Sequence, residues 1–401
     1  MNKELHHYAV VTGGYWAFTI TDGAIRMLVV LYFHLLGYSP LEVAMLFLLY
    51  ELCGVFTNLV GGWMAARLGL NVTMHMGMAL QVIALAMLTV PDGWLSVAYV
   101  MFAQALSGIA KDLNKMSAKA SVKLLLPQDA EAKLFKWVSI LTGSKNALKG
   151  AGFFIGATLL DVVGFRAALG ILGLLLAIVL LVTWLKLPKQ MGQMKTKATF
   201  TQVFSNNAAI NWLSAARLFL FGSRDVWFTV ALPVFLYSVV GWSFTHVGTF
   251  FALWIIGYGF IQTIAPKLLS LGSKQHKVDR ATVVTLAAVL SLTPIAIAVG
   301  MDFSIEPGLL LIAGLSIFGV LFALNSAVHS YLILSYAERD RVSLDVGFYY
   351  MANASGRLFG TILSGLIYQE WGLQACLYAS SALITMATLL SLRLPAVSAV
   401  K

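Results

Sequence analysis

The chain has 401 residues, of which 59% are hydrophobic and only 11% are charged, whereas an ordinary soluble domain is roughly 25% charged. So few charges cannot cover a water-facing surface, which excludes a disordered chain and a secreted disulfide scaffold and indicates a polytopic membrane protein. The formal net charge of +10 is therefore interpreted as basic loops beside a membrane and not as a nucleic-acid interface.

Twelve apolar runs are long enough to span a bilayer, whose core requires roughly 20 residues per helix. Their approximate bounds are 8–36, 40–66, 71–90, 94–123, 132–160, 165–187, 207–236, 243–266, 281–300, 307–336, 342–368 and 372–392. Ser39-Pro40 before Glu42 is a helix-start signal, and the PDGW tetrapeptide at 91–94 predicts a turn. The sequence thus predicts an all-α polytopic membrane protein. We expect no cleavable leader, because the first run is too long for the apolar core of one.

Lys and Arg are distributed unevenly between the predicted connections. The odd-numbered connections carry only Arg166, whereas the even-numbered ones carry Arg67, Lys123, Lys133, Lys186, Lys189, Lys195, Lys197, Lys267, Lys274, Lys277, Arg280, Arg339 and Arg341. Since cytoplasmic loops collect basic residues, both termini are expected on the cytoplasmic side of the cell's inner (plasma) membrane.

The spans divide into two similar sets of six. The longest connection is basic and lies halfway along, so the predicted organisation is an N-terminal half at 1–187, a cytoplasmic linker at 188–206 and a C-terminal half at 207–401. An internal repeat supports the division, as in duplicated transporters. With one residue inserted, Asp22, Gly37, Ser39 and Val43 recur as Asp225, Gly241, Ser243 and Val247.

Several charges fall inside the predicted spans. Four are acidic (Asp22, Glu51, Asp112 and Asp225), and eight are basic, namely Arg26, Lys111, Lys115, Lys145, Lys149, Arg217, Arg224 and Arg357. One Lys or Arg at a helix centre costs about 2.5–3.5 kcal/mol even on the lenient scale. The excess of cations therefore indicates a wet cavity for a polyanionic ligand. The alternative is that these side chains snorkel to the interface or form structural ion pairs.

The spacing of these cations suggests a binding surface. Lys111, Lys115 and Lys119 follow one another at intervals of four, as do Lys145 and Lys149, so each set forms a stripe on one helix face. A guanidinium group can form bidentate hydrogen bonds to two oxygens of a phosphate-like group, and an ammonium group supplies a compact positive charge. The predicted substrate-binding residues are Arg26, Lys111, Lys115, Lys145, Lys149, Arg224, Arg357 and Asn325.

The four carboxylates are predicted to couple or gate transport. Asp22 shares a helix face with Arg26, Asp112 lies three residues before Lys115, and the adjacent Arg224 and Asp225 are expected to point apart. Glu51 has no evident cation on its own helix and is the first candidate for a proton carrier, because burial raises a carboxyl pKa. His329 is either a titrating group or, more simply, a packing residue.

The arrangement of two six-helix halves, a basic central loop and a repeat resembles the major facilitator superfamily. That family carries a G-x-x-x-D-R-x-G-R-[KR] signature between its second and third spans, and Gly62 to Asn71 here reads GWMAARLGLN. Gly62, Arg67 and Gly69 match the signature. Ala66 replaces its aspartate and Leu70 and Asn71 replace its last basic residues, so the resemblance does not extend to the family's charge relay at this loop.

A closer resemblance lies in the segments YWAFTITDGAIRMLVVLYFHLLGYSP, SGIAKDLNKMSAKASVKLL and KLFKWVSILTGSKNALKG. They are similar to the organoarsenical efflux permease of arsenic-resistance operons. The resemblance implies export of 1-arseno-3-phosphoglycerate, and hence arsenate resistance. It also implies glyceraldehyde-3-phosphate dehydrogenase as the functional partner that forms this ester. Two isolated cysteines, Cys53 and Cys376, are compatible with pentavalent arsenic, which needs no thiolate ligand.

The sequence is therefore interpreted as a monomeric secondary transporter of a small polyanion, working by alternating access without cofactor or metal. Proton antiport is expected, because intramembrane carboxylates are present and no nucleotide-binding motif is found. Alternatives are an exporter of another organic phosphate or of a drug. A membrane enzyme would require a metal site or a nucleophile–base pair, and a sensor would require a soluble output domain.

Overall fold

The computed structural model describes residues 3–38, 46–125, 131–188, 205, 207–242, 244–270, 279–303 and 306–395. Within these ranges the chain is helical and contains no strand. The predicted start signal at Ser39-Pro40 and most of the predicted linker at 188–206 lie outside the described residues.

Six long helices form the N-terminal set. They are α1 (Lys3–Leu35), α2 (Leu48–Leu68), α3 (Leu70–Met87), α4 (Val97–Leu125), α5 (Glu131–Val163) and α6 (Phe165–Lys186). A single residue, Gly69, separates α2 from α3. Its φ of 101° is a left-handed conformation that glycine adopts without strain, so the chain can reverse there in one residue. The predicted turn before α4 is a short 3-10 helix at Asp92–Trp94.

The C-terminal set contains α7 (Ala208–Phe228), α8 (Ala231–Ser238), α9 (Phe244–Ser270), α10 (Arg280–Gly300), α11 (Pro307–Tyr336) and α12 (Val342–Ser391). The seventh span is interrupted between α7 and α8, just before Pro233, which has no N–H to continue the ladder. The 50-residue α12 comprises the last two spans, which meet at Gly372 with a φ of 74°.

The predicted fold class is thereby confirmed: twelve spans are arranged as two sets of six. On length and hydropathy alone, seven of the described helical segments could cross a membrane. The helix α4 is not among them, because Lys111, Asp112 and Lys115 lie within it.

Contacts group the chain into two compact units. The first unit comprises Met1–Leu134, Ser144–Phe204 and Ala337–Met351; the second comprises Phe135–Gly143, Ser205–Tyr336 and Ala352–Lys401. Each has its own apolar core, which packs α1, α3, α4 and α6 in the first unit and helices α7 to α12 in the second. The chain boundaries at 187 and 207 stay a prediction.

At one end of the first unit, the Asp92 carboxylate ties three segments together. Its Oδ1 accepts a 2.7 Å hydrogen bond from the Tyr32 hydroxyl of α1 and forms a 2.9 Å ion pair with Arg166 of α6. The Tyr32 ring stacks on Phe165, with 4.0 Å between centroids. The Tyr32 hydrogen bond, reinforced by Arg166, lowers the pKa of Asp92 below its ordinary value.

We predict that Asp92→Asn lowers the melting temperature of the purified protein at pH 7. Because the folded-state pKa is depressed, the carboxylate contributes stability above its unfolded pKa of about 3.9, and this contribution disappears as the pH falls through the folded value. The melting temperatures of the two proteins should therefore converge once the pH is below the folded-state pKa of Asp92. The control is Asp161→Asn, at an exposed aspartate of α5, which should match wild type throughout. A constant difference at every pH would contradict the prediction.

Candidate functional site

A group of ionised side chains lies inside the first unit, contributed by α1, α2, α4 and α5. We call it the first-unit charge cluster, and it consists of Asp22, Arg26, Glu51, Lys111, Asp112, Lys115 and Lys149. These residues are up to 127 positions apart in the chain, yet each lies within 4.0 Å of an oppositely charged member. The sequence-predicted residues of this half, Lys145 excepted, are thus brought together.

The Asp22 carboxylate is one of the two enclosed carboxylates of the cluster, with a side chain that is 5% exposed. Its Oδ2 pairs with Lys149 Nζ at 3.3 Å, and its Oδ1 accepts a 2.6 Å hydrogen bond from the Tyr50 hydroxyl. Asp22, which shares a helix face with Arg26, thus forms its ion pair with Lys149 on another helix.

Arg26 instead reaches α2. Its Nη2 lies 3.2 Å from Glu51 Oε1, and Lys111 Nζ lies 3.9 Å from Glu51 Oε2. The sequence offered Glu51 no cation on its own helix. The structure places two cations beside it from neighbouring helices. The Arg26 and Glu51 side chains are 29% and 34% exposed, the highest values in the cluster. A ligand entering the first unit would meet this pair before the enclosed aspartates.

The third carboxylate, that of Asp112, pairs with two lysines of its own helix. Its Oδ1 lies 2.5 Å from Lys115 Nζ, which confirms the pairing predicted from the spacing of three residues, and its Oδ2 lies 3.9 Å from Lys111 Nζ. The side chain is 3% exposed and packs against Gly54 of α2, where an added Cβ would lie 2.7 Å from Oδ2. Asp112 therefore fixes the direction of two lysines.

Tyr50 lies at the centre of the cluster and was missed by the sequence analysis. Lys111 Nζ is 3.8 Å from the centroid of its ring and the Arg26 guanidinium is 4.7 Å away, while its hydroxyl binds Asp22. Such contacts attract cations to the ring face. A tyrosine in an apolar run gives no sequence signal of this role, which arises only when three helices meet.

The remaining predicted polar residues of this half have mixed positions. Lys145 lies half-buried on α5, one turn before Lys149, and Ser144 accepts a 2.8 Å hydrogen bond from Trp16. The Asn114 amide donates to the Ala110 carbonyl of its own helix. Lys115 and Lys119 approach the Tyr350 ring at 4.6 and 5.1 Å. Lys119, only 4% exposed, is thus enclosed by the protein and does not extend to the membrane interface.

Close helix crossings set these distances. Where α1 crosses α5, an added Cβ on Gly23 would lie 2.6 Å from the Lys149 carbonyl oxygen and 3.2 Å from Gly152 Cα. Where α2 crosses α4, a Cβ on Gly108 would lie 3.0 Å from Tyr50 Cα. Small residues allow such backbone approach within membranes. The glycines therefore bring Asp22 to Lys149 and Tyr50 to Lys111.

The second unit has a smaller charge cluster around Asp225 of α7. Its Oδ1 lies 2.5 Å from Arg224 Nη2, and its Oδ2 accepts a 3.3 Å hydrogen bond from Arg357 Nε of α12. The expectation that adjacent Arg224 and Asp225 point apart is wrong, because the long arginine side chain folds back to the neighbouring carboxylate. Arg357 is 34% exposed, whereas Asp225 is 1% exposed.

Three further polar residues of the second unit are almost fully buried. Arg217 is 3% exposed, stacks at 3.9 Å on Phe221 and donates a 3.0 Å hydrogen bond to Ser326 Oγ. Asn325 is fully buried and donates to the Val283 carbonyl at 3.4 Å, so in this conformation it is inaccessible to a ligand. His329 is 1% exposed, which favours the packing interpretation.

The two carboxylates of the sequence repeat occupy equivalent local arrangements. Asp22 pairs with Lys149, three residues before Gly152; Asp225 pairs with Arg357, three residues before Gly360. Both pairs measure 3.3 Å. A Cβ on Gly360 would lie 2.5 Å from the Gly222 carbonyl oxygen, so this crossing is also close. Each unit thus has one enclosed carboxylate–cation pair at a glycine-lined crossing.

The charges do not cancel within either cluster. The first-unit charge cluster contains four cations and three carboxylates. In the second unit, among the residues that the structure describes, Arg224 and Arg357 both pair with the one carboxylate of Asp225. Both clusters are therefore positive, as a site for anions requires.

A helical membrane protein with duplicated charged crossings is the architecture of a secondary transporter, and comparison with known proteins identifies the family. The sequence profile of the Major Facilitator Superfamily matches residues 11–305. The chain therefore belongs to this superfamily. No curated protein sequence matches it significantly.

Solved structures share its fold at low sequence identity. A bacterial homologue of the iron transporter ferroportin, in an outward-facing state, is 16% identical with a TM-score of 0.75, and the match covers 96% of this chain and 98% of that one. The human organic anion transporter TETRAN is 16% identical with a TM-score of 0.76, covering 98% and 100%. The E. coli fucose:proton symporter is 10% identical with a TM-score of 0.73, covering 97% and 98%.

We predict that Gly23→Ala destabilises the protein by about 1–3 kcal/mol, because its methyl group would force α1 away from α5. The free energy of unfolding in detergent or nanodiscs is the measurement. Gly170→Ala is the matched control. It lies in α6 with nothing within 4 Å of its added Cβ, and it should stabilise by about 0.5–1 kcal/mol through helix propensity. Equal effects of the two substitutions would show that the crossing is not tight.

Proposed function

We propose that this protein is a secondary active transporter that exports a polyanionic organic phosphate from the cytoplasm by alternating access. The single observation that carries the proposal is the unbalanced positive charge of the clusters at membrane depth. Cations there are costly unless they are paired with acidic groups, face a wet cavity or bind a ligand, and the carboxylates of the clusters are fewer than the cations. A major facilitator fold without such a surplus would suggest a neutral or lipophilic cargo equally well.

The proposed cargo is 1-arseno-3-phosphoglycerate, from the resemblance of the charged segments to organoarsenical efflux permeases. A phosphate ester carries about −1.5 to −2 charges near neutrality and offers several acceptor oxygens. Glyceraldehyde-3-phosphate dehydrogenase is the proposed functional partner, since it would form the ester from arsenate. Export of the ester from a bacterial cell would then confer arsenate resistance.

The side chains have distinct proposed roles. Arg26 and Arg357 combine positive charge with the highest exposure and are best suited to hold cargo oxygens, and Lys111 joins Arg26 because both contact Glu51 and the Tyr50 ring. Lys115, Lys149 and Arg224 contribute positive charge from less exposed positions than those of Arg26 and Arg357. Lys145 extends the basic stripe of α5. The carboxylates of Asp22, Asp112 and Asp225 fix these cations, and Glu51 is the proposed proton carrier for antiport.

Another organic phosphate remains the alternative cargo, because phosphate recognition would use the same cations. One of the similar structures is described as an organic anion transporter, and at 16% identity that likeness supports the fold alone. A lipophilic drug is the second alternative. It is disfavoured by the ionised groups that line the candidate site.

We predict that everted membrane vesicles containing this protein take up radiolabelled arsenate only when glyceraldehyde 3-phosphate, NAD and the dehydrogenase are all present. Each component is needed to form the ester. Vesicles without the transporter are the control. Uptake of free arsenate without the dehydrogenase would refute the ester as cargo. Uptake unchanged by an uncoupler that collapses the proton gradient would refute antiport.

We further predict that Lys111→Gln combined with Lys145→Gln lowers uptake in this assay more than about tenfold, since two charge-assisted contacts are removed. The matched control is Lys136→Gln combined with Lys186→Gln, at two exposed lysines. It removes the same charge outside the site and should retain wild-type uptake. Tolerance of the first pair would favour a drug carrier.

A further inference from the structure

Glu51 differs from the other carboxylates of the first-unit charge cluster. Its side chain is 34% exposed, whereas those of Asp22 and Asp112 are 5% and 3% exposed. Its ion pairs, at 3.2 Å to Arg26 and 3.9 Å to Lys111, fall in the same range as those of Asp22 and Asp112, so exposure is what distinguishes it. Glu51 is thus the most accessible carboxylate of the cluster.

The position of Glu51 matches that of an anionic ligand. Its two oxygens face two different cations, Arg26 from α1 and Lys111 from α4, and both cations also contact the ring of Tyr50. A phosphate group entering the site would seek the same guanidinium and ammonium. Cargo and Glu51 therefore compete for one pair of partners.

A transporter of anions faces a charge problem on its return step. After the cargo leaves, cations that held it would be uncompensated while the site closes, and uncompensated charge at membrane depth is costly. A carrier with no acidic side chain of its own to neutralise these cations can then return only with another anion bound. It is therefore restricted to exchange of one anion for another. A carboxylate that returns to the cations removes this restriction.

We propose that Glu51 is a resident counter-anion, displaced from Arg26 and Lys111 by the cargo and restored to them when the cargo leaves. This inference rests on the proposed anion transport and adds to it the ability to perform net efflux. Asp22 and Asp112 cannot serve in the same way, because they are enclosed and fix Lys149 and Lys115. His75 lies on α3, a helix that packs on α2, and is hydrogen-bonded to the Thr183 backbone. It does not act as the counter-anion.

The first test separates net efflux from exchange. Proteoliposomes are loaded with radiolabelled 3-phosphoglycerate, and release is measured into a medium with no transportable anion and into one with unlabelled 3-phosphoglycerate. Wild type should release label into both. Glu51→Gln should lose net release by about tenfold, because its empty site closes over unpaired cations, while it retains exchange. Glu51→Asp should recover net release relative to Glu51→Gln.

Glu370→Gln is the matched control, since it removes an exposed carboxylate of α12 that lies outside the cluster. It should behave as wild type in both media. If Glu51→Gln loses net release and exchange equally, Glu51 is an ordinary structural or binding residue and the inference is wrong. Retention of both activities would also overturn it.

The second test does not depend on the cargo. Sulfate, a dianion that does not titrate near neutrality, is bound to the purified proteins and followed by calorimetry. Removing the internal competitor should strengthen sulfate binding about tenfold in Glu51→Gln. Equal, weaker or undetectable binding would overturn the inference. Stronger binding, with no transport of 3-phosphoglycerate by wild type, would support the counter-anion and show that 3-phosphoglycerate itself is not a cargo.

Discussion

An enclosed carboxylate paired with a cation across a close helix crossing is the interaction on which the rest of the site depends. A buried ion pair is expensive to form and more expensive to break, because removal of one partner leaves an uncompensated charge. The Asp22–Lys149 pair therefore fixes α1 against α5, and Asp225–Arg357 does the same for α7 and α12. The glycines beside each pair allow the approach that the 3.3 Å distances require.

Local sequence patterns correctly predicted the features that depend only on local geometry. The twelve spans follow from hydropathy, and the Asp112–Lys115 pair follows from the helical repeat. The weak internal repeat already indicated that Asp22 and Asp225 are equivalent. It did not indicate the cations with which they pair. Lys149 is 127 residues from Asp22, and no spacing rule connects them.

Helix geometry alone did not decide the direction of two pairs of side chains. Arg26 and Asp22 share a helix face, but they form ion pairs with Glu51 and Lys149 on neighbouring helices. Arg224 was assigned a direction from its Cα position, but its side chain is long enough to reach the adjacent Asp225. Tyr50 could not be singled out, because an aromatic residue in an apolar run is ordinary until charges converge on it. The roles of the predicted substrate-binding residues stay predictions.

The departure from the superfamily signature also has a structural counterpart. Arg67 stacks over Trp63 at 5.5 Å, while Ala66, in place of the signature aspartate, is fully buried in a small apolar contact with Leu344. Nearby, an added Cβ on Gly62 would lie 3.1 Å from Gly347 Cα, so α2 meets the start of α12 by direct backbone packing. This part of the first unit is therefore held by small residues. The first-unit charge cluster lies around Tyr50, where an anionic ligand would compete for its ion pairs.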